Sequence, residues 1–232
     1  MNFLGTLSDG SYRGRGLALG LAPDGEQLAI VYWITGRSAR SRNRRLVELT
    51  NGTLCTEFID TTRRDNPALV VYPLLMNLGV TYAISNGEHT KPILEAVNSG
   101  DTLERAIQEW TVEPDELNTP RIVGTASVKS PDSCRIGLVR TSVSTGRTVT
   151  ERCVFSYSGL LPGSGRCITT YAGGSMEPTP FVGDPLSVTF EGNVDATCAR
   201  FRDALAGPLL VSVAARFVGH GKCYTAIANL QE

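Results

Sequence analysis

Leu28-Ala29-Ile30-Val31-Tyr32-Trp33-Ile34 is apolar on both of the faces that a β-strand presents. Successive side chains of a strand point to opposite sides, so a run without polar alternation belongs to a strand covered on both faces. Working outward, Pro23-Asp24-Gly25 separates this segment from Arg15–Leu21, a second apolar run. Proline presets its own φ and glycine accepts positive φ, so the two runs are expected to form a hairpin. Asn51-Gly52 joins Arg45–Leu49 to Leu54–Ile59 and favours a type I′ hairpin turn. Leu69–Leu75 and Val80–Ser85 read as further strands, as do Ile122–Val128, Ile136–Arg140, Thr148–Tyr157, Ile168–Tyr171, Leu186–Phe190, Leu209–Phe217 and Cys223–Ala228.

Helical signals are fewer. Thr90-Lys91-Pro92 opens an apolar-periodic stretch that Gly100 ends, with Thr90 as the cap. Asp101-Thr102-Leu103-Glu104 resembles a capping box for a helix reaching Trp110, and Val194 to Ala206 is a third helix closed by Gly207 and Pro208. Many strands with helices in blocks point to an α+β fold with antiparallel sheets, two of them packed together with helices outside. Neither a linker nor a repeat interrupts the sequence, so residues 1–232 are treated as one domain.

Composition narrows the function. The formal charge is -1, from 22 basic and 23 acidic residues, which argues against a general nucleic-acid binder. No apolar run approaches the ~20 residues of a membrane span, and Met1-Asn2-Phe3-Leu4-Gly5 lacks a signal pattern, so a cytoplasmic protein is expected. Cys55, Cys134, Cys153, Cys167, Cys198 and Cys223 are scattered and form no C-x-x-C pair, and the histidines are His89 and His220. That pattern offers no zinc spacing, and reduced thiols are expected.

Polar residues are distributed unevenly. Arg37-Ser38-Ala39-Arg40-Ser41-Arg42-Asn43-Arg44-Arg45 holds five arginines in nine residues. Such a cluster is either a solvated basic loop or a set of bidentate donors for a phosphate. Arg63-Arg64-Asp65-Asn66-Pro67 precedes the apolar segment that contains Tyr72. Ser85-Asn86-Gly87-Glu88-His89-Thr90 lies where a strand gives way to a helix, as a turn or as a seat for an anion or carbonyl oxygen. Glu113-Pro114-Asp115-Glu116-Leu117-Asn118-Thr119-Pro120-Arg121 brings several carboxylates beside an arginine.

Taken in order, these segments resemble the archaeal-type inosine monophosphate cyclohydrolase family. The matching motifs are Tyr12-Arg13-Gly14-Arg15-Gly16, Gly36-Arg37-Ser38 through Asn43-Arg44, Asp65-Asn66-Pro67 with Tyr72, Ser85-Asn86-Gly87-Glu88-His89-Thr90, and Asn118-Thr119-Pro120-Arg121-Ile122. They cover roughly the first 125 residues. The second half is similar only around Phe181 and Gly183-Asp184-Pro185, and the first loop is richer in arginine. The resemblance implies a four-layer αββα sandwich similar to N-terminal-nucleophile hydrolases but without their self-cleavage. Met1-Asn2-Phe3 indeed offers no N-terminal Cys, Ser or Thr.

The implied activity closes the purine ring of 5-formamidoimidazole-4-carboxamide ribonucleotide (FAICAR), releasing water and inosine monophosphate. It implies no metal or redox cofactor, a small ribonucleotide as partner, and a homo-oligomer, with a tetramer expected. The alternatives are a cyclohydrolase or amidohydrolase acting on another ribonucleotide or amide, and a non-catalytic nucleotide-binding relative. Carried onto this sequence, the resemblance makes Arg37 and Arg44 the phosphate anchors, with Arg15 as a further candidate. Asn66, Tyr72, Asn86 and Arg121 become substrate-positioning residues, Tyr72 with a catalytic role, and His89 is placed near the base or ribose. For the acid–base group Glu116 is chosen over Asp115, Glu113 and His89, because a carboxylate near Arg121 can be held in place.

Overall fold

The computed structural model describes residues 11–64, 66–144, 146–173 and 177–230. The reading of Met1–Gly5, and Asp65 of the third motif, lie outside these residues. Among the described residues thirteen strands form two antiparallel sheets, and the helices are few and short. The first sheet has the order β11-β10-β1-β2-β12-β13, with β1 Arg15–Leu21, β2 Leu28–Thr35, β10 Ser164–Thr169, β11 Leu186–Thr189, β12 Leu210–Gly219 and β13 Lys222–Asn229. The second runs β3-β4-β5-β6-β7-β8-β9, an unbroken meander. Its strands are β3 Arg45–Glu48, β4 Leu54–Glu57, β5 Pro73–Leu78, β6 Thr81–Ser85, β7 Arg121–Ser127, β8 Ser130–Ser144 and β9 Arg147–Tyr157.

Strand β2 is buried along its whole length, and its two faces go to different cores. Leu28, Ile30, Tyr32 and Ile34 face the second sheet and pack in one cluster with Leu46, Leu54, Ile84, Ile122, Ile136 and Leu138. Ala29, Val31 and Trp33 face the other way, onto Val194, Cys198 and Phe201 of the helix Val194–Ala204. On the outer face of the second sheet, Val123 and Val139 pack against Ile93 and Leu103, from the helices Thr90–Asn98 and Leu103–Ala106. The apolar run Leu28–Ile34 therefore sits between a sheet-to-sheet core and a helix-to-sheet core.

Several local expectations change. The hairpin at Asn51-Gly52 is not type I′: of these two only Gly52 has positive φ, at 79°, and the Gly52 N–H bonds Leu49 O at 2.8 Å. This is a three-residue loop with the glycine in a bulge position, which needs only one left-handed residue. Leu69–Leu75 is not one strand. Pro67 opens a helical turn, Pro67–Val70, and β5 starts only at Pro73. Thr90 does not cap its helix. His89 occupies the cap position, and the Thr90 hydroxyl donates to Gly87 O at 2.9 Å instead. Thr102 caps as expected, accepting from Arg105 N–H, but its helix ends at Ala106.

The meander decides where the loops meet. In an antiparallel sheet alternate strands start at the same end, so the segments leading into β3, β5 and β7 converge. The residues just before those strands are Arg44, the Asn66–Tyr72 segment and the Glu113–Pro120 segment. Pairing of Arg15 with Ile34 puts the start of β1 beside the end of β2 in the facing sheet.

Candidate functional site

At that shared end lies a pocket of about 480 Å³. Gly36, following β2, lets the chain fold back into it: a Cβ there would stand 2.8 Å from Ser41 Oγ and 2.9 Å from Arg42 Cγ. The returning segment forms one helical turn, Ala39–Arg42, closed reciprocally by Ser38 and Ser41, each bonding the other's backbone N–H. Gly14, at φ +71°, brings the segment before β1 against Tyr171, since a Cβ would lie 2.7 Å from its ring. The ring of Tyr12 then meets that of Tyr171 at 5.4 Å, and the Arg37 guanidinium lies over Tyr12 at 4.5 Å.

One wall is cationic. Arg37, Arg40 and Arg44 line it, whereas Arg42 reaches away to Pro208 O and Arg45 pairs with Glu57 at 2.6 Å on the surface. Arg44 stands apart from these. It is only 7% exposed, yet its Nε and Nη1 have no hydrogen-bond partner among the described residues. Burying an uncompensated guanidinium is costly, and an anion in the pocket removes that cost.

The rest of the lining includes carboxylates. Glu113 is 3% exposed and its Oε2 accepts from Arg15 Nη2 at 2.9 Å. Glu113 Oε1 accepts from Asn86 Nδ2 at 3.1 Å, and Arg15 Nη1 donates to Asn86 O at 3.2 Å. Burial raises the Glu113 pKa above the ordinary carboxylate range, while Arg15 pulls it back. Asn86 is wholly engaged, for it also donates to Pro120 O at 2.9 Å and accepts from Ile122 N–H at 2.8 Å. It builds the wall rather than facing the pocket. Asp115 accepts from the N–H and hydroxyl of Thr119. The Thr119 hydroxyl is thereby spent, so the Tyr171 hydroxyl, 2.7 Å away, donates to it. Burial pushes the Tyr171 pKa up to about 12. Glu116 lies exposed at the pocket mouth.

The remaining expected residues divide. Asn66 lines the pocket in a left-handed conformation, φ 49°. Tyr72 is buried and shares a 3.1 Å hydroxyl pair with Tyr32, whose pKa burial raises, in the field of Arg15. Two hydroxyls carry two protons and one bond uses one, so the other proton is left for a third group. His89 and Arg121 lie behind the Glu113 wall and do not line the pocket. Arg121 donates from Nε to Thr111 O at 2.9 Å, pairs with Glu88 at 3.2 Å and lies over the Trp110 ring at 5.0 Å.

The His89 tautomer follows from its partners. Nε2–H donates to Ile122 O and Nδ1 accepts from Arg121 Nη1, both at 3.2 Å. Burial, then the Arg121 charge, lowers its pKa from 6.5 to about 3. Between those values the unfolded chain binds a proton that the native state refuses, so this histidine costs stability as pH falls. The expected loss is about 1.4 kcal/mol per pH unit as the pH falls from roughly 6.5 toward about 3, where it levels off. His89→Gln, compared with wild type in thermal melts from pH 7 to 4, is expected to flatten the slope. An unchanged slope would assign the acid sensitivity to another group.

The sequence does not single out Tyr12, Tyr171 and Thr119 as pocket residues, and it favours Glu116 over Glu113. Tyr12 stood within a quoted motif and Tyr171 closed a strand-like run, but nothing local to either says that the two rings meet. Likewise, no spacing distinguishes the buried carboxylate of the Glu113–Glu116 loop from the exposed one.

Comparison with known proteins adds the family. An IMP cyclohydrolase from Halobacterium salinarum is 33% identical over 114 residues, covering 47% of this chain and 57% of that protein. The chain thus matches little more than half the length of that relative. An IMP cyclohydrolase from Haloquadratum walsbyi is 28% identical over 149 residues, covering 62% of this chain and 70% of that protein. The model of a family described as IMP cyclohydrolase-like protein matches residues 12–217, which include both walls of the pocket. This chain belongs to the IMP cyclohydrolase-like family.

Proposed function

We propose that this protein is an IMP cyclohydrolase, closing the ring of FAICAR to give inosine monophosphate and water. The observation that carries the reading is the buried Arg44 guanidinium, whose Nε and Nη1 have no partner among the described residues, in a pocket also lined by the Arg15–Glu113 pair. A ribonucleotide has this polarity, with a dianionic phosphate at one end and a hydrogen-bonding base at the other. In this reading Arg44, with Arg37 and Arg40, holds the phosphate by charge-assisted hydrogen bonds. The reacting base lies toward Glu113, with the buried Tyr32–Tyr72 pair packed behind the pocket lining. The helices outside both sheets support an αββα sandwich of the N-terminal-nucleophile type.

The chemistry sets the requirements. The carboxamide nitrogen attacks the formyl carbon, forming the C–N bond and passing a proton to what was the formyl oxygen. The resulting hydroxyl then leaves as water, taking the formamido N–H proton as the ring double bond forms. An amide nitrogen is a weak nucleophile, so holding both ends of the substrate in register supplies much of the rate. A group that takes a proton from nitrogen and returns it to oxygen serves both halves. Glu113 suits this role, since its carboxylate offers about four acceptor sites, of which Arg15 and Asn86 use two. Glu116, at the mouth, is the alternative carrier.

Mixing purified protein with FAICAR and following inosine monophosphate tests the reading. Turnover above the spontaneous rate is expected, and its absence would reject the activity. Tyr72→Phe keeps the ring and deletes the hydroxyl. It is expected to lower kcat about tenfold, the worth of one hydrogen bond, with KM little changed. Full kcat in a stable variant would reduce Tyr72 to a core residue.

A further inference from the structure

Arg44 Nε and Nη1 have no hydrogen-bond partner among the described residues, so the guanidinium is placed from behind, by its backbone. The residues on either side of it are tied by the same device. Asn43 Oδ1 accepts from Asp60 N–H at 2.7 Å, while its Nδ2 donates to Asp60 O at 2.9 Å and to Arg63 O at 3.0 Å. Two residues beyond Arg44, Leu46 N–H donates to Asn229 Oδ1 at 2.9 Å and Asn229 Nδ2 donates to Leu46 O at 3.0 Å. In both cases an asparagine amide copies the paired donor and acceptor of a strand and engages both backbone groups of one residue. Ser212 fixes the second amide, its hydroxyl donating to Asn229 Oδ1 at 2.8 Å.

The two ties come from different directions. Asn43 fastens the arginine loop to the Asp60–Arg63 loop, whereas Asn229 ends β13, the edge of the facing sheet. Strand β3 is itself an edge, so without Asn229 its outward Leu46 groups are unpaired at the end next to Arg44. The far end of the same hairpin is secured separately. Arg216 donates to Gly52 O and to Glu48 Oε1, each at 2.6 Å. Asn229 also lies beyond the residues 12–217 that match the family.

We infer that Asn43 and Asn229 are positioning residues that together hold the Arg44 guanidinium in place for the phosphate of the substrate. This rests on the reading of Arg44 as the phosphate anchor. The cost of disordering a long cationic side chain falls on binding rather than on the distant reacting atoms.

The test measures KM and kcat for FAICAR in Asn43→Ala, Asn229→Ala, Arg44→Ala and the double variant Asn229→Ala/Arg44→Ala. Each asparagine variant is expected to raise KM by about fivefold to tenfold with kcat within about twofold, since misplacing a binding group removes uniform binding. Within the double variant, loss of Asn229 is expected to add nothing to the KM of Arg44→Ala, because the group it positions is gone. Wild-type KM in both asparagine variants, or a penalty that adds in full to Arg44→Ala, would overturn the inference while leaving Arg44 as the anchor. An unchanged KM in Arg44→Ala itself would overturn the anchor reading and the inference with it. Should Asn229→Ala fail to fold, Asn43→Ala and its double with Arg44→Ala make the same comparison from the other side.

Discussion

Arg44→Ala is expected to raise the KM for FAICAR by roughly 10- to 150-fold, the equivalent of one charge-assisted hydrogen bond at about 1.5–3 kcal/mol. The same substitution is expected to leave the free protein as stable as wild type, or more so. This residue is 7% exposed and its guanidinium Nε and Nη1 have no partner among the described residues, so it pays desolvation without a compensating contact. A site kept ready for an anion is a place where stability and function trade against each other. Titrating FAICAR turnover and recording melting curves on the same preparations measures both. A variant that melts well below wild type, with KM unchanged, would make Arg44 a structural residue. Arg37, already stacked on Tyr12, is expected to give a smaller effect on KM.

Glu113→Gln is expected to lower kcat by about 10²- to 10⁴-fold, the usual range for losing a positioned acid–base group. Glutamine keeps the shape and accepts from Arg15 through its one oxygen, but its amide N–H then faces the Asn86 Nδ2 donor, so melting curves on the same variant separate loss of the proton from loss of packing. As a base Glu113 must be ionised, so kcat is expected to rise with pH through its pKa. Burial places that pKa above the ordinary carboxylate range. In the glutamine variant this limb disappears. Glu116→Gln serves as the internal comparison, expected within a few-fold of wild type because Glu116 is exposed at the mouth. If the loss and the altered pH limb follow Glu116→Gln instead, the proton carrier is at the mouth.

The unalternating run Leu28–Ile34 was enough to require cover on both faces, because strand periodicity ties residue order directly to face. The same rule made most strands legible. It failed where a different local rule competed, as at Pro67, whose fixed φ begins a helical turn before β5 can start. The arginine cluster was equally plain in the sequence, but not which of its members matters. Arg37, Arg40, Arg42, Arg44 and Arg45 are one residue type in one stretch. They differ only in where the returning loop leaves them: Arg45 on the surface with Glu57, Arg42 turned to Pro208, and Arg44 buried with Nε and Nη1 unpaired among the described residues.

The choice among carboxylates had the same character. Glu113, Asp115 and Glu116 share one short loop, and composition cannot tell a buried, paired glutamate from a solvated one. That difference exists only because β1 in the facing sheet delivers Arg15 against the segment that leads into β7. His89 and Arg121, both in motifs that read as functional, are drawn behind the wall by Ile122, Thr111 and Trp110. What the sequence alone determined is therefore the strands, the faces they bury and the set of segments able to carry chemistry, because each depends on neighbours along the chain. Which side chains of those segments meet was decided by the meander, which brings the starts of β3, β5 and β7 to one end, and by the facing sheet that closes over them. Charge pairing, burial and proton affinity depend on distances across that gap, and residues far apart in sequence set those distances.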